Sequence, residues 1–189
     1  MNPLFEAAVE VQRFLESRGW SFCFIGGLAV ARWGEPRATR DLDVTVLSGF
    51  GQEERYVGEV LDHFAPRVAD AREFARQSRV VLFRAGNGVP VDMALGGIPF
   101  EESMVRRATA FAFAPGVSLL TCSAEDLIVQ KAFADRPRDW ADVEGVVVRQ
   151  AGALDWEYIH EQLGPLCEVK ADSAIMPRLD EIRDRTARE

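Results

Sequence analysis

The sequence predicts an α/β (α+β) core over residues 1–121, followed by a helical subdomain over residues 122–189. Up to residue 121, short apolar strand patterns bounded by glycine, proline and polar turns alternate with amphipathic helix patterns. Beyond it, helix-start signals at Ser123, Pro137 and Asp155 follow one another without a strand pattern between them. The joins are short, so we expect two packed subdomains with a cleft that the helical part closes.

The first half begins with apolar residues at helical spacing, which predict an amphipathic helix over residues 3–18. The apolar and β-branched runs that follow predict strands at 21–25, 41–47, 79–84, 89–95, 109–113 and 117–121. The segments between them have helical spacing and predict helices at 27–33, 52–64, 70–77 and 100–107. The Ala-Gly-Asn-Gly turn at 85–88 predicts a hairpin between the strands on either side.

Capping signals define the helices of the second half. The segment Ser123-Ala-Glu-Asp126 resembles a capping box and opens the first of them. Pro137 suits the first turn of a second helix, which is predicted to end near residue 150. Asp155 caps a third helix, and Asp172 is expected to start a polar C-terminal helix.

Composition sets the broad class of the protein. A chain of 189 residues with 48% hydrophobic and 28% charged residues is typical of a soluble globular protein. No apolar run approaches the roughly 20 residues that span a bilayer, and signal-peptide features are lacking, so we expect a cytoplasmic protein with no membrane contact. The three widely spaced cysteines predict buried thiols rather than disulfides or a zinc site. The net charge of −8 argues against broad nonspecific nucleic-acid binding, although a local basic groove is compatible with it.

The most informative segment is residues 25–46. An apolar strand breaks at Gly26-Gly27, where backbone amides can approach a phosphate at the start of the next helix. Asp41 and Asp43 then occupy positions i and i+2 of a predicted strand, so both side chains should project from one face. Two carboxylates held this close repel each other unless a cation lies between them, and a divalent metal is the usual solution.

A third carboxylate, Asp92, interrupts an otherwise apolar strand, where an unpaired charge would cost several kcal/mol. Either a loop satisfies this strand-end aspartate, or it contacts a metal held by Asp41 and Asp43. We favour the metal. Three carboxylates then suit an in-line displacement in which metal ions bind a triphosphate and Asp92 activates the incoming hydroxyl.

The glycine pair, the strand Asp-x-Asp and the later strand aspartate resemble the DNA polymerase β-like nucleotidyltransferase superfamily. The segment Arg37-Ala-Thr39-Arg-Asp41-Leu-Asp43 is similar to the R-x-T/S-x-D-hydrophobic-D form of the AbiEii/AbiGii toxin-like nucleotidyltransferases. The resemblance implies a polymerase β-like core with a mixed sheet, and Mg²⁺ or Mn²⁺ bound by Asp41, Asp43 and Asp92. It also implies that the glycine helix positions the triphosphate, with Arg37 and Thr39 beside the phosphates.

A second signature of that family resembles the segment from Lys131 to Asp142. Lys131 lies on the apolar face of its predicted helix, where a lysine either extends its amine to water or reaches an anion in a cleft. Asp139 and Asp142 lie at i and i+3 of the next helix, and alone they would complement its dipole. The resemblance implies that Arg136, Asp139 and Asp142 lie at the bound nucleotide together with Lys131. Lys131 would then act in catalysis by neutralising triphosphate charge, and Asp139 would orient Lys131 or the acceptor.

The resemblance implies an enzyme that moves a nucleoside monophosphate from an NTP, such as ATP, to an acceptor hydroxyl and releases pyrophosphate. The implied acceptor is RNA or tRNA, in a type IV toxin–antitoxin setting with an antitoxin protein as partner. Two alternatives stay open. One is a small-molecule nucleotidyltransferase of the aminoglycoside or lincosamide type, because a cationic acceptor suits an acidic protein. The other is a catalytically idle nucleotide- or partner-binding module.

Overall fold

The computed structural model describes residues 2–186, and within them seven strands form one mixed sheet. The strands are β1 (Phe22–Phe24), β2 (Leu42–Leu47), β3 (Ala65–Pro66), β4 (Val80–Arg84), β5 (Pro90–Gly96), β6 (Thr109–Ala114) and β7 (Val117–Thr121). Their order across the sheet is β3-β4-β5-β2-β1-β7-β6. The pairs β2–β5 and β1–β7 are parallel, and the other neighbours are antiparallel. The predicted mixed α/β class is therefore confirmed.

Nine helices occur in the same described range, and each predicted helix is among them. They are α1 (Pro3–Ser17), α2 (Gly26–Trp33), α3 (Glu53–His63), α4 (Ala71–Ser78), α5 (Pro99–Arg107), α6 (Ala124–Ala134), α7 (Pro137–Arg149), α8 (Trp156–Lys170) and α9 (Ile175–Thr186). The caps at Ser123 and Asp155 are confirmed, since their side chains accept hydrogen bonds from Asp126 N and Tyr158 N. Helix α9 starts later than expected, because Asp172 accepts a hydrogen bond from Ala174 N, 3.0 Å away, in the turn before it.

The alternation of side chains along β2 and β5 sorts apolar from polar residues. Leu42, Val44, Val91 and Met93 are fully buried and belong to the main hydrophobic core, as expected for the residues between the aspartates. The intervening residues point to the opposite face of the sheet. Strand β3, which sequence patterns did not predict, forms one sheet edge, where Pro66 suits an edge strand.

The chain divides into two compact units, and the second is discontinuous in sequence. The first unit holds the residues up to Leu28 and Ala38–Cys122, and the second holds Ala29–Arg37 and the described residues from Ser123 on. The boundary therefore falls within α2. The predicted domains, 1–121 and 122–189, extend to residues 1 and 187–189, which lie outside the described residues, and that division stays a prediction.

Cys23, Cys122 and Cys167 are all buried, as predicted. Between residues 2 and 186, no helix combines the length and the apolar character that a membrane span requires.

Candidate functional site

Two of the three predicted carboxylates lie side by side across neighbouring strands. Asp43 of β2 is in register with Asp92 of the parallel strand β5. Residues in register on adjacent strands point to the same face, so both side chains leave the sheet on the face opposite the hydrophobic core. Asp41 precedes the first residue of β2 and is exposed, whereas Asp43 is half-buried. The strand thus begins one residue later than predicted, and the parallel projection of Asp41 and Asp43 stays a prediction.

The glycine pair provides room for side chains of the carboxylate motif. Gly26 has a φ of +55°, and a Cβ atom there would lie 2.0 Å from Oδ2 of Asp43. A Cβ atom on Gly27 would lie 2.5 Å from Oγ1 of Thr39. Neither position can carry a side chain without displacing a residue of the motif. The strand–helix turn also brings the chain against β2, since Ile25 N donates to the Asp43 carbonyl at 2.9 Å.

Thr39 contacts Asp41 as well as the glycine pair. Its hydroxyl donates to Oδ1 of Asp41, 3.0 Å away. This hydrogen bond fixes one oxygen of a carboxylate that is otherwise exposed. Thr39 therefore has a structural role within the motif, and its predicted contact with phosphate stays a prediction.

Asp92 is satisfied by a residue that the sequence analysis did not single out. The guanidinium of Arg67 donates through Nη1 to Oδ1 of Asp92 and forms an ion pair with it. Arg67 follows β3, and its backbone N–H donates to the Leu82 carbonyl at 3.0 Å, which extends the β3–β4 ladder by one residue. Asp92 is thus satisfied by a residue that follows β3, as in the first of the two alternatives for this aspartate. Its contact with a metal stays a prediction.

The residues present fit a magnesium ion that completes its coordination with substrate. Across residues 2–186, no three His, Cys, Asp or Glu side chains are grouped closely enough to hold a metal by themselves. Mg²⁺ commonly uses one or two carboxylates together with substrate phosphates and water. Asp43 and Asp92 supply hard oxygen donors on one face, and the missing Cβ of Gly26 leaves the space that the Asp43 carboxylate occupies.

The second unit contains an ion-pair cluster, made of buried Lys131, Asp139 and Asp142, half-buried Arg37 and exposed Arg136. Lys131 Nζ lies 2.7 Å from Asp139 Oδ1 and 2.9 Å from Asp142 Oδ2. Arg37 binds both oxygens of Asp142, at 2.8 and 3.0 Å. Arg136 Nε donates to Asp139 Oδ2 at 2.5 Å. Hydrogen bonds and ion pairs therefore connect Arg37, which lies close before the Asp-x-Asp motif, with all four residues predicted in the segment from Lys131 to Asp142.

The cluster shows which groups Lys131 contacts, and its predicted role at a triphosphate stays a prediction. The residue is only 8% exposed, so its amine does not extend to water but reaches two carboxylates. Burial alone would raise the pKa values of Asp139 and Asp142. Hydrogen bonds from the arginines and Lys131 outweigh burial and hold both pKa values below their usual range. Both aspartates are therefore charged at neutral pH.

A buried carboxylate, Asp126, lies in the first turn of α6, where the sequence predicted only a capping box. Asp126 is fully buried, and its carboxylate accepts hydrogen bonds from the hydroxyls of Ser123 and Tyr158, each at 2.7 Å. Tyr158 lies 32 residues further along the chain, so no local pattern could have revealed this contact. The group ties α8 to the start of α6.

The ordered motifs and this fold agree with the comparison to known families. The sequence model described as nucleotidyl transferase AbiEii toxin, type IV TA system, matches residues 15–183. The chain belongs to the AbiEii nucleotidyl transferase toxin family. This AbiEii-family chain is accordingly a nucleotidyltransferase. Among curated proteins, none matches the sequence.

Solved structures support the fold assignment. An antigenic nucleotidyltransferase-like protein from Paracoccidioides brasiliensis is similar over 94% of the AbiEii-family chain and 92% of its own, with a TM-score of 0.55 and 14% identity. The antibiotic-resistance factor ANT(2'')-Ia is similar over 96% of this chain and 90% of its own, with a TM-score of 0.51 and 15% identity. At such low identity these likenesses concern the fold alone.

Proposed function

We propose that this AbiEii-family chain uses Mg²⁺ to transfer a nucleoside monophosphate from an NTP to a hydroxyl group of RNA, as a toxin-like enzyme. The observation that carries the proposal is the in-register pair Asp43 and Asp92, beside a glycine that leaves room for the Asp43 carboxylate. Family membership supports the transfer chemistry and the type IV toxin–antitoxin setting. An antitoxin protein would be the partner in that setting.

The three carboxylates would share metal binding in the proposed reaction, and Asp92 would have a second role. Asp41 and Asp43 would bind the metal, with Asp92 as a further ligand, and the metal would neutralise charge on the triphosphate. Asp92 would accept the proton of the acceptor hydroxyl as its oxygen attacks the α-phosphorus. The new P–O bond replaces the bond to the β-phosphate, and pyrophosphate leaves with that electron pair. Backbone amides at Gly26-Gly27 would position the phosphates.

The ion-pair cluster of the second unit suits a nucleotide-binding role. Its three cations exceed its two carboxylates by one positive charge, which favours an anionic ligand. Lys131 and Arg136 would interact with phosphate oxygens, and Asp139 would hold the Lys131 amine in place. Arg37 would act through Asp142, to which its Nε and Nη2 donate.

RNA is favoured over a cationic antibiotic as acceptor because arginines accompany Asp92. Arg67 pairs with Asp92 directly. Arg84 follows Leu82, the register partner of Asp92 on β4, by two residues and so lies on the same face of the sheet. A cationic aminoglycoside would be repelled by these guanidiniums, whereas RNA phosphates would be attracted. Because the fold is similar to that of ANT(2'')-Ia, the test also includes aminoglycosides as acceptors.

The test is incubation of the protein with Mg²⁺ and each labelled NTP in turn. The acceptors are tRNA, RNA depleted of tRNA, a panel of aminoglycosides and the protein itself. We expect label on RNA, reduced at least about 100-fold by Asp43→Asn because transition-state charge is no longer stabilised. Asp62→Asn, which changes an exposed aspartate with a 78% exposed side chain, should act like wild type.

The other outcomes separate the rival functions. Label on an aminoglycoside but not on RNA would show that the protein is a small-molecule nucleotidyltransferase instead. Label on no acceptor, with Asp41→Asn binding NTP as tightly as wild type, would support the idle-module alternative and exclude an enzyme of the proposed kind.

A further inference from the structure

Arg67 and the two strand carboxylates lie on one row across the sheet. The β3–β4 register continues from Pro66↔Phe83 to Arg67 and Leu82, whose backbone groups are hydrogen-bonded. Leu82 is in register with Asp92, and Asp92 with Asp43. All four side chains therefore point to the same face. Arg67 crosses the width of β4, a separation of about 10 Å between backbones, to reach Asp92.

We infer that Arg67 is an internal counter-ion that competes with the divalent cation for Asp92 and so sets the concentration at which the metal binds. This inference rests on the proposed metal site. The guanidinium bonds Oδ1 of Asp92, one of only two oxygens that the carboxylate can offer. A guanidinium and a divalent ion at the same oxygen would repel each other, so metal binding at Asp92 requires Arg67 to leave.

Exposure of the pair makes this exchange feasible. The Asp92 side chain is 37% exposed and that of Arg67 is 23% exposed. Ion pairs that water still reaches contribute modestly to stability, so a metal ion can displace the arginine without disrupting the fold. Arg67 is also anchored by its backbone to β4, which keeps it close to Asp92 after release.

The experiment measures Mn²⁺ binding to the whole protein by electron paramagnetic resonance and calorimetry, without NTP or RNA, at fixed ionic strength. We expect Arg67→Gln to bind Mn²⁺ about 5- to 10-fold more tightly than wild type, because the competing cation is gone. Arg84→Gln is the matched control. It removes the same charge from the same face, but from an arginine that donates to the Gly88 carbonyl, and it should change the affinity less than about 2-fold.

Three outcomes distinguish this inference from the proposed function. Unchanged or weaker binding by Arg67→Gln, while Asp43→Asn abolishes binding, overturns the inference and leaves the metal site intact. Equal gains in Arg67→Gln and Arg84→Gln also overturn it, because overall charge would then explain the change. No specific binding by wild type or Arg67→Gln, also when a non-hydrolysable NTP analogue is added, overturns both. Should Arg67→Gln unfold by circular dichroism, Arg67→Met, which retains the aliphatic stem, replaces it in the same measurement.

Discussion

At the scale of single residues, the site depends on an atom that Gly26 lacks. Its φ of +55° already disfavours other residues, and the position of Asp43 Oδ2 leaves no space for a Cβ atom. The glycine therefore contributes to the shape of the carboxylate site as directly as the aspartates do. A phosphate-binding role for its amide can coexist with this steric role.

Replacing Gly26 by alanine should abolish nucleotidyl transfer, because Asp43 must move away from the new methyl group. The matched control is Gly152→Ala, which has a φ of +78° but nothing within 4 Å of the added Cβ. It should cost only the left-handed backbone strain, about 1 kcal/mol in the free energy of unfolding, with full activity. Equal activity of the two variants in the labelled-NTP assay would refute the steric explanation.

Asp142 gives a prediction for the pH dependence of stability. Burial alone would raise its pKa, but hydrogen bonds from Arg37 and Lys131 lower it below the usual value of 3.8. Because the folded pKa is the lower one, the stabilisation is complete above the unfolded pKa and disappears as pH falls through the folded pKa. We expect the free energy of unfolding to decrease as the pH falls below about 4.

Asp142→Asn tests this origin of the acid sensitivity. The variant removes the carboxylate that buried Lys131 and half-buried Arg37 share, so it should lose about 3 kcal/mol at pH 7 and show a smaller further loss below pH 4. Asp184→Asn, which changes an aspartate with a 53% exposed side chain, should stay within about 0.5 kcal/mol of wild type. Denaturant unfolding at several pH values measures both effects, and parallel pH profiles for wild type and Asp142→Asn would contradict the assignment.

At the scale of elements, three helices within residues 2–186 are capped by a non-glycine residue with left-handed backbone. Arg79, Asp135 and Ala171 end α4, α6 and α8 with φ values of 56°, 57° and 56°. The first two also form side-chain hydrogen bonds. Arg79 donates to the Leu95 and Gly49 carbonyls, and Asp135 accepts a hydrogen bond from the Trp140 indole. Ala171 is exposed, and its backbone N–H donates to the Cys167 and Glu168 carbonyls.

Ala171→Gly should therefore stabilise the protein by up to about 1 kcal/mol. Glycine relieves the left-handed backbone strain at the residue that caps α8, although it adds some entropy to the unfolded chain. Ala153→Gly, at an exposed turn alanine without positive φ, should instead destabilise slightly. Thermal melting of both variants gives the comparison, and a loss of stability in Ala171→Gly would show that strain at this cap is negligible.

At the scale of the whole molecule, the second unit is assembled from two distant stretches of chain. Arg149 donates to the Gly34 carbonyl at 2.8 Å, and Gln150 donates to the Trp33 carbonyl at 2.9 Å. Gly34 also packs closely against Val146, since a Cβ atom there would lie 2.9 Å from Val146 Cγ2. Residues 29–37 are thus held against the C-terminal part of α7 by side-chain-to-backbone hydrogen bonds and by close packing.

Val146→Ala should speed amide hydrogen exchange in α7 and at Gly34 together, because the lost packing, worth about 2 kcal/mol, supports both. Val148→Ala lies on the same helix, but Val148 is 57% exposed, and the change should leave both regions as in wild type. Mass-spectrometric exchange resolves the segments. Faster exchange in α7 with wild-type protection at Gly34 would show that residues 29–37 are not part of this unit's cooperative structure.

Sequence alone predicted the parts of this molecule that local chemistry determines. The helices and strands followed from periodicity and caps, and the carboxylate motif followed from the spacing of Gly26, Asp41 and Asp43. The ion pair at Asp92 in the first unit and the ion-pair cluster in the second unit each join residues far apart in the chain. Arg67 and Asp92 are separated by 25 residues, and Arg37 and Asp142 by 105. Such pairs depend on which strands and helices become neighbours, and Arg67 is positioned by β3, a two-residue strand with no pattern of its own.

The crowding at Gly26 also has a genetic consequence. Every amino acid other than glycine has a Cβ atom, so any missense change of this codon places an atom about 2.0 Å from the Asp43 carboxylate oxygen. The codon is therefore as large a target for inactivating mutation as the codons of the carboxylates. In a population selected for loss of the transferase, mutations at Gly26 should arise alongside those at Asp41, Asp43 and Asp92.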